Sequence, residues 1–242
     1  IMSAKRTDSN SYTIIFSLVM VVVVGSLLAF FANFTKDLRV KNDQVKAQID
    51  ILSAIGVPAE RSNATEMFDK YIKSQKVIKG TEVSDDDKAY LIDVKKELDI
   101  AKNGGVQRLP LFVAEKDGKV IYILPVRGNG LWDAIWGYIA LNDDLKSISG
   151  VYFDHKGETP GLGANITETF FTDDFKGEFI YDASGSFKGV EISKSNADPN
   201  NQDKNDNQVD AISGATITGN GVGAMINSGI RSYLPYFETL KK

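Results

Sequence analysis

"LPLFVAEKDGKVIYILPV", Leu109 to Val126, is two apolar runs folded about Asp117-Gly118. Asp-Gly supplies the positive-φ pair that a two-residue connection needs, so the stretch predicts a β-hairpin. Further strands follow: "AIWGYIAL" (134–141) and "SISGVYF" (147–153), separated by Asn142-Asp143-Asp144, then "GVEIS" (189–193). Helical spacing surrounds this core. Thr169 to Phe175 reads as a short helix. Thr218 to Tyr233 reads as the last one, with Val222, Met225, Ile226 and Ile230 on one face. Upstream, Leu38, Val45, Ile49 and Leu52 place a helix over Lys36 to Ile55, closed by Gly56-Val57-Pro58. Ala64 to Lys73 and Asp86 to Ile100 are two more, the second stopped by Asn103-Gly104-Gly105. The expected fold class is α+β, an antiparallel sheet flanked by helices.

The N-terminal part differs in kind. Tyr12 to Phe34, "YTIIFSLVMVVVVGSLLAFFANF", carries no charge. As a helix it spans roughly 34 Å, against about 30 Å of hydrocarbon. A secretory signal would have a shorter apolar region and an A-x-A-like cleavage site, and "AFFAN" is not one. The segment is expected to be a retained single transmembrane helix. The implied organisation is an N-terminal tail at 1–11, the span at 12–34, a juxtamembrane helical region at 35–105 and a soluble domain at 106–242. Lys5 and Arg6 precede the span, while Lys36, Arg39, Lys41 and Lys46 follow it. A literal count puts the C-terminal domain inside, but long domains translocate largely regardless of such charges.

Composition narrows the chemistry. The 242 residues carry a net charge of −4, which argues against nucleic acid as a partner, since phosphate-binding surfaces need a basic excess. With no cysteine, this chain holds no disulfide, thiolate metal site or cysteine-bound iron–sulfur cluster. His155 is its one histidine, so a multi-histidine metal centre is impossible and a Ser-His-Asp triad would have to use it. It reads better as a structural residue. "GNGLWD", "GLGANI" and "GNGVGA" all miss G-x-G-x-x-G, and no G-K-[ST] is present, which removes the Rossmann and P-loop readings. "DPNNQDKNDNQVD" (198–210) suggests oxygen ligands for a hard cation, but its spacing fails the EF-hand pattern, so a solvated loop is expected and no metal site is assigned.

Three stretches remain pointed. In "HKGETPGLG" (155–163), Glu158 and Thr159 offer polar groups, Pro160 stiffens a turn, and Gly161 and Gly163 flank Leu162. Leu131 and Trp132 of "GLWDAIWG" (130–137) could flank a flat ring, or could be core. "VDAISGATITG" (209–219) sets Ser213-Gly214-Ala215-Thr216 just before the last helix. A helix start binds anions through free N–H groups and the positive dipole end. An ordinary N-cap by Ser or Thr satisfies the same spacing.

Asp210-Ala211-Ile212-Ser213-Gly214-Ala215-Thr216 resembles the D-x-x-[ST]-G-A-T flavinylation motif of the FMN-binding domain family, and "ETPGLG" is similar to that family's second signature. "GNGLW", with the single span, resembles the flavin subunits of Na+-translocating NADH:quinone oxidoreductases. The resemblance covers essentially the whole chain and is sharpest from Val126 to Ile226. It implies FMN held covalently by a phosphoester to Thr216, with Ser213, Gly214 and Ala215 around the phosphate. Asp210 and the SGAT residues would be what a separate flavin transferase reads. Leu131, Trp132, Glu158, Thr159, Gly161, Leu162 and Gly163 would form the ring pocket, with Glu158 and Thr159 toward its polar edge. No residue would be catalytic. The resemblance implies an electron-transfer subunit within an assembly of six, in the bacterial inner membrane, its soluble domain on the periplasmic side. Electrons would come from an iron–sulfur centre of the D and E subunits and pass to the FMN of the riboflavin-bearing B subunit, toward quinone, while Na+ is pumped. The homologous flavin subunit of a ferredoxin:NAD+ oxidoreductase is the alternative. A membrane-anchored FMN-binding regulator is a third reading, ranked below because such proteins usually carry further regions ahead of the anchor.

Overall fold

The structure, a computed structural model, describes residues 9–195, 198 and 201–240; residues 1–8 of the expected N-terminal tail lie outside that set. The chain forms two compact units, Ile1–Gln44 and Val45–Lys242. In the first, α1 (Asn10–Phe34) is uncharged, strongly apolar and wholly exposed, and the Ser9 hydroxyl caps it by accepting from Tyr12 N. It is long and apolar enough to cross a membrane. The second helix, α2 (Lys36–Ala54), crosses the boundary between the units.

The second unit is built on six antiparallel strands in the order β2-β1-β3-β4-β5-β6. These are β1 (Ile72–Lys79), β2 (Glu82–Asp85), β3 (Arg108–Lys116), β4 (Lys119–Asn129), β5 (Ala134–Asn142) and β6 (Ile148–His155). The hairpin forms where Asp117-Gly118 predicts it. Lys116 pairs Lys119, and both turn residues take positive φ, 53° and 75°. β5 and β6 follow as read. β1 and β2 come from within the 35–105 segment expected to be helical, so the sheet begins well before 106.

Because strand side chains alternate, the sheet buries two faces. Leu111, Leu124, Val126, Ile135, Ile139 and Phe153 point to one side, where they meet the last helix and the 163–212 segment. Phe112, Ala114, Ile121, Ile123 and Ala140 point to the other, against Ile51, Leu52 and Ala54 of α2 and Phe68 of α3 (Ala64–Tyr71). Lys46 adds an ion pair to Asp154 of β6 at 3.0 Å.

Three other expectations are corrected. The helix expected over Asp86–Ile100 is a 3-10 turn at Ala89–Leu91 followed by α4 (Val94–Lys102), because the Asp93 carboxylate caps a new start through Lys95 N and Lys96 N. The "GVEIS" strand is only β7 (Glu191–Ile192), which pairs in parallel with β8 (Gln208–Val209) outside the main sheet. The last helix, α6 (Thr216–Leu240), begins two residues early and runs through Pro235. An interior proline costs about 3 kcal/mol. The turns beyond it bury Phe237, stacked on Tyr233 and edge-on to Tyr122, which offsets much of that cost. α5 (Thr169–Thr172) and the 3-10 turn after it match the expected short helix.

The Asp/Asn-rich loop is more structural than solvated. Asn201 and Asn207 are buried, and their amides donate to the carbonyls of Asp174, Phe179 and Tyr181. Residues 196, 197, 199 and 200 lie outside the described set.

Candidate functional site

α6 lies along β4, with Gly221 close to the Asn129 carbonyl and Gly229 close to Val126; a Cβ at either would overlap them. This close approach brings the start of α6 to the end of β4, where the chain turns through Gly130–Asp133 into β5. The Glu158–Gly163 turn, leaving β6, closes the third side. A cavity of about 250 Å³ results, lined by Leu131, Trp132, Glu158, Thr159, Leu162, Gly163, Gly214, Ala215, Thr216, Ile217 and Thr218. Nine of these are expected site residues. Ile217 and Thr218 are additions, missed in sequence because the motif ends at Thr216 and neither carries a signal of its own. Ser213 and Gly161 sit beside the cavity without lining it. Asp210 is further away, its Oδ1 accepting from Asp198 N at 3.5 Å.

At the helix start, Ala215 N donates to Ile212 O, with Gly214 at φ +73° completing the turn. The first helical bond is Gly219 N to Ala215 O at 2.8 Å. Ala215 therefore occupies the cap position, and its methyl side chain caps nothing. The Ser or Thr N-cap is not what forms, and the N–H groups of Thr216, Ile217 and Thr218 are left pointing out of the helix end. Thr216 is exposed, and among the described residues its hydroxyl has no protein partner.

Residues two apart on a helix lie about 200° apart around its axis, so Thr218 faces inward where Thr216 faces out. Thr218 is 1% exposed, and its hydroxyl donates to Glu158 Oε2 at 2.6 Å. Trp132 N donates to Glu158 Oε1 at 2.9 Å. Burial alone would raise the Glu158 pKa. The Thr218 hydroxyl and the backbone N–H groups of Trp132, Asp133 and Leu131 outweigh it and hold the carboxyl below its ordinary value. Glu158 is thus held as a carboxylate, hydrogen-bonded on both oxygens, in the cavity wall. Thr159 stays available: its Oγ1 accepts the Trp132 indole N–H at 3.2 Å and keeps its own proton to donate.

His155 is structural as expected, its Nδ1 accepting Glu158 N–H at 3.2 Å. Leu131 and Trp132 are not core. Trp132 is 68% exposed, and Leu131, Leu162 and Ile217 are exposed beside the same cavity. Four large apolar side chains around one opening are more surface than folding alone explains. A flat aromatic group lying on them would cover it.

The FMN-binding domain family matches residues 130–231, which contain every residue lining the cavity. The C subunit of the Na+-translocating NADH-quinone reductase of Pseudomonas aeruginosa is 40% identical over 118 residues, 48% of this chain and 44% of that one. Its counterpart in Neisseria meningitidis serogroup A is 29% identical over 98% of both chains. Among solved structures, the C subunit of the enzyme from Parabacteroides distasonis superposes with a TM-score of 0.72 at 35% identity, over 83% of this chain and 96% of that one.

Proposed function

Since the chain belongs to the family of the C subunit of the Na+-translocating NADH-quinone reductase, we propose that it is the flavoprotein subunit of such a complex, carrying FMN covalently on Thr216. In this reading it takes electrons from an iron–sulfur centre in the D and E subunits. It delivers them to the FMN of the B subunit, toward quinone. α1 anchors it in the inner membrane, and the second unit lies on the periplasmic side, where a flavin transferase makes the bond.

One observation carries the reading. Three separate stretches, 130–132, 158–163 and 214–218, converge on one cavity at a helix start whose first residue presents an exposed, unpartnered hydroxyl. Of the two threonines in that helix turn, only Thr216 is open to modification, because the Thr218 hydroxyl is buried and committed to Glu158.

FMN held there would supply reversible one-electron uptake and release at low potential, which the side chains of this protein do not offer. The chain's own residues bind and orient. The free N–H groups of Thr216, Ile217 and Thr218 and the positive end of α6 favour the single negative charge of a phosphodiester by about 0.3–1 kcal/mol. The tether removes the need for an Arg or Lys clamp. Leu131, Trp132, Leu162 and Ile217 give the ring an apolar seat, and the Thr159 hydroxyl can donate to its polar edge.

Co-expression of the full chain with a periplasmic flavin transferase, followed by a denaturing gel under ultraviolet light, tests the attachment. A fluorescent band is expected from the wild type and none from Thr216→Ala. A band persisting in Thr216→Ala would place the bond elsewhere, and no band in the wild type would end the covalent reading. Co-purification with a Na+-dependent, quinone-reducing complex tests the assignment to that complex over the ferredoxin-linked one.

A further inference from the structure

We propose that Thr218 is a positioning residue, acting through Glu158 to fix the Trp132 loop relative to the helix that bears Thr216. The inference rests on the reading of this cavity as the FMN site.

The connection is short. Thr218 Oγ1 reaches Glu158 Oε2 at 2.6 Å, and Glu158 Oε1 accepts Trp132 N at 2.9 Å, so one carboxylate links α6 to the loop after β4. The carboxylate packs directly against two glycines. A Cβ on Gly130 would stand 2.8 Å from the Glu158 carboxyl carbon, and a Cβ on Gly163 would overlap Oε2 and stand 2.7 Å from Thr218 Oγ1. Glu158 is 4% exposed. A buried, fully bonded carboxylate enclosed by two glycines behaves as a rigid strut. It ties the tether at Thr216 and the ring seat at Trp132 into one frame.

The strut also places a fixed negative charge in the cavity wall. Without the Thr218 hydroxyl, Glu158 loses one of the bonds that keep it ionised, and its carboxyl takes up a proton more readily. A neutral Glu158 favours electron addition to a neighbouring flavin, so its potential would rise as the pH falls. The titratable groups beside it are His155, on the same turn, and the surface ion pair of Asp133 and Lys156 at 2.8 Å. Wild type and variant share these, so a difference between the two pH profiles reports Glu158.

The test uses the full chain in detergent, as Thr218→Val, which keeps the shape, and Thr218→Ser, which keeps the hydroxyl. Without flavin, hydrogen exchange at the Trp132 amide is expected to be at least tenfold faster in Thr218→Val and to return to the wild-type rate in Thr218→Ser. With flavin attached, the potential of Thr218→Val should rise more steeply than wild type as the pH falls from 7 to 4, and Thr218→Ser should follow wild type. Unchanged exchange in Thr218→Val, or superimposable potential profiles, would overturn the proposal. If Thr218→Val does not fold, Glu158→Ala, which removes both acceptor oxygens, replaces it: equal Trp132 exchange in Glu158→Ala and Thr218→Ser would overturn it. If the wild type carries no attached flavin, the proposed function fails, while the exchange measurement still decides whether the strut exists.

Discussion

Gly163→Ala should destabilise the protein by about 3–5 kcal/mol, and the reason is space. Gly163 has no positive φ, so the backbone accepts an alanine. Its Cβ would overlap Glu158 Oε2 and stand 2.7 Å from Thr218 Oγ1. Both atoms are held, at 2.6 Å to each other and at 2.9 Å from Trp132 N to the second carboxylate oxygen. Overpacking a tight site costs about 1–3 kcal/mol. Forcing the Thr218–Glu158 bond apart removes a hydrogen bond to a charged group, about 1.5–3 kcal/mol more. Gly161→Ala, two residues away, is the contrast. Its φ is +75° with nothing within 4 Å of the added atom, so only backbone strain of roughly 1–2 kcal/mol applies. Urea denaturation of the full chain in detergent, read by tryptophan fluorescence and circular dichroism, gives both values. Gly163→Ala must be the worse by about 2 kcal/mol. Equal losses, or the reverse order, would mean that the carboxylate is free to move and that no rigid strut stands behind the cavity.

Other outcomes follow from single contacts. Thr216→Ala should leave stability within about 0.5 kcal/mol of wild type, because the exposed hydroxyl supports nothing in the fold; a larger loss in the same denaturation would contradict that. Tyr233→Phe should cost about 1–2 kcal/mol, since it removes a buried hydrogen bond from the hydroxyl to Pro110 O at 2.7 Å. Burial, despite the Asn201 amide, pushes the Glu178 carboxyl up to about 7, whereas in the unfolded chain it titrates near about 4.3. Between those values the native state holds a proton that the unfolded state releases, so stability falls as the pH rises from about 4.5 to 7, by at most about 1.4 kcal/mol per pH unit. Glu178→Gln should flatten that part of the profile; an unchanged slope would show the assignment to Glu178 to be wrong.

What the sequence reveals depends on how local the determining physics is. The β3–β4 hairpin is legible because Asp117 and Gly118 suit their own backbone angles, whatever surrounds them. β5 and β6 are legible because both alternate and are bounded by turn residues. β1 is not: "IKSQKVIK" mixes lysines into a strand whose pairing with β2 and β3 is decided from outside it. The end of α6 is hidden because Pro235 is a local stop signal that the burial of Phe237 overrides. At the site, Thr216 and its neighbours are found through family resemblance, since spacing alone allows an ordinary cap. Thr218 carries no signal of its own. Its role exists only because Glu158, 60 positions earlier, lies under the same helix.

Those separations also bear on how the chain comes together. Trp132 and Glu158 are 26 positions apart, and Glu158 and Thr218 are 60. Closing such loops costs chain entropy before any contact repays it, so pairings of this kind form late and slowly. The hairpin at Asp117-Gly118 can close within microseconds on its own sequence, whereas the cavity waits for β6 to be in place and for α6 to dock across β4. The Ser213–Thr216 turn is local and can form without either. A ring seat that appears only on completion distinguishes a finished protein from a partly folded one, which no reading of the short turn could do.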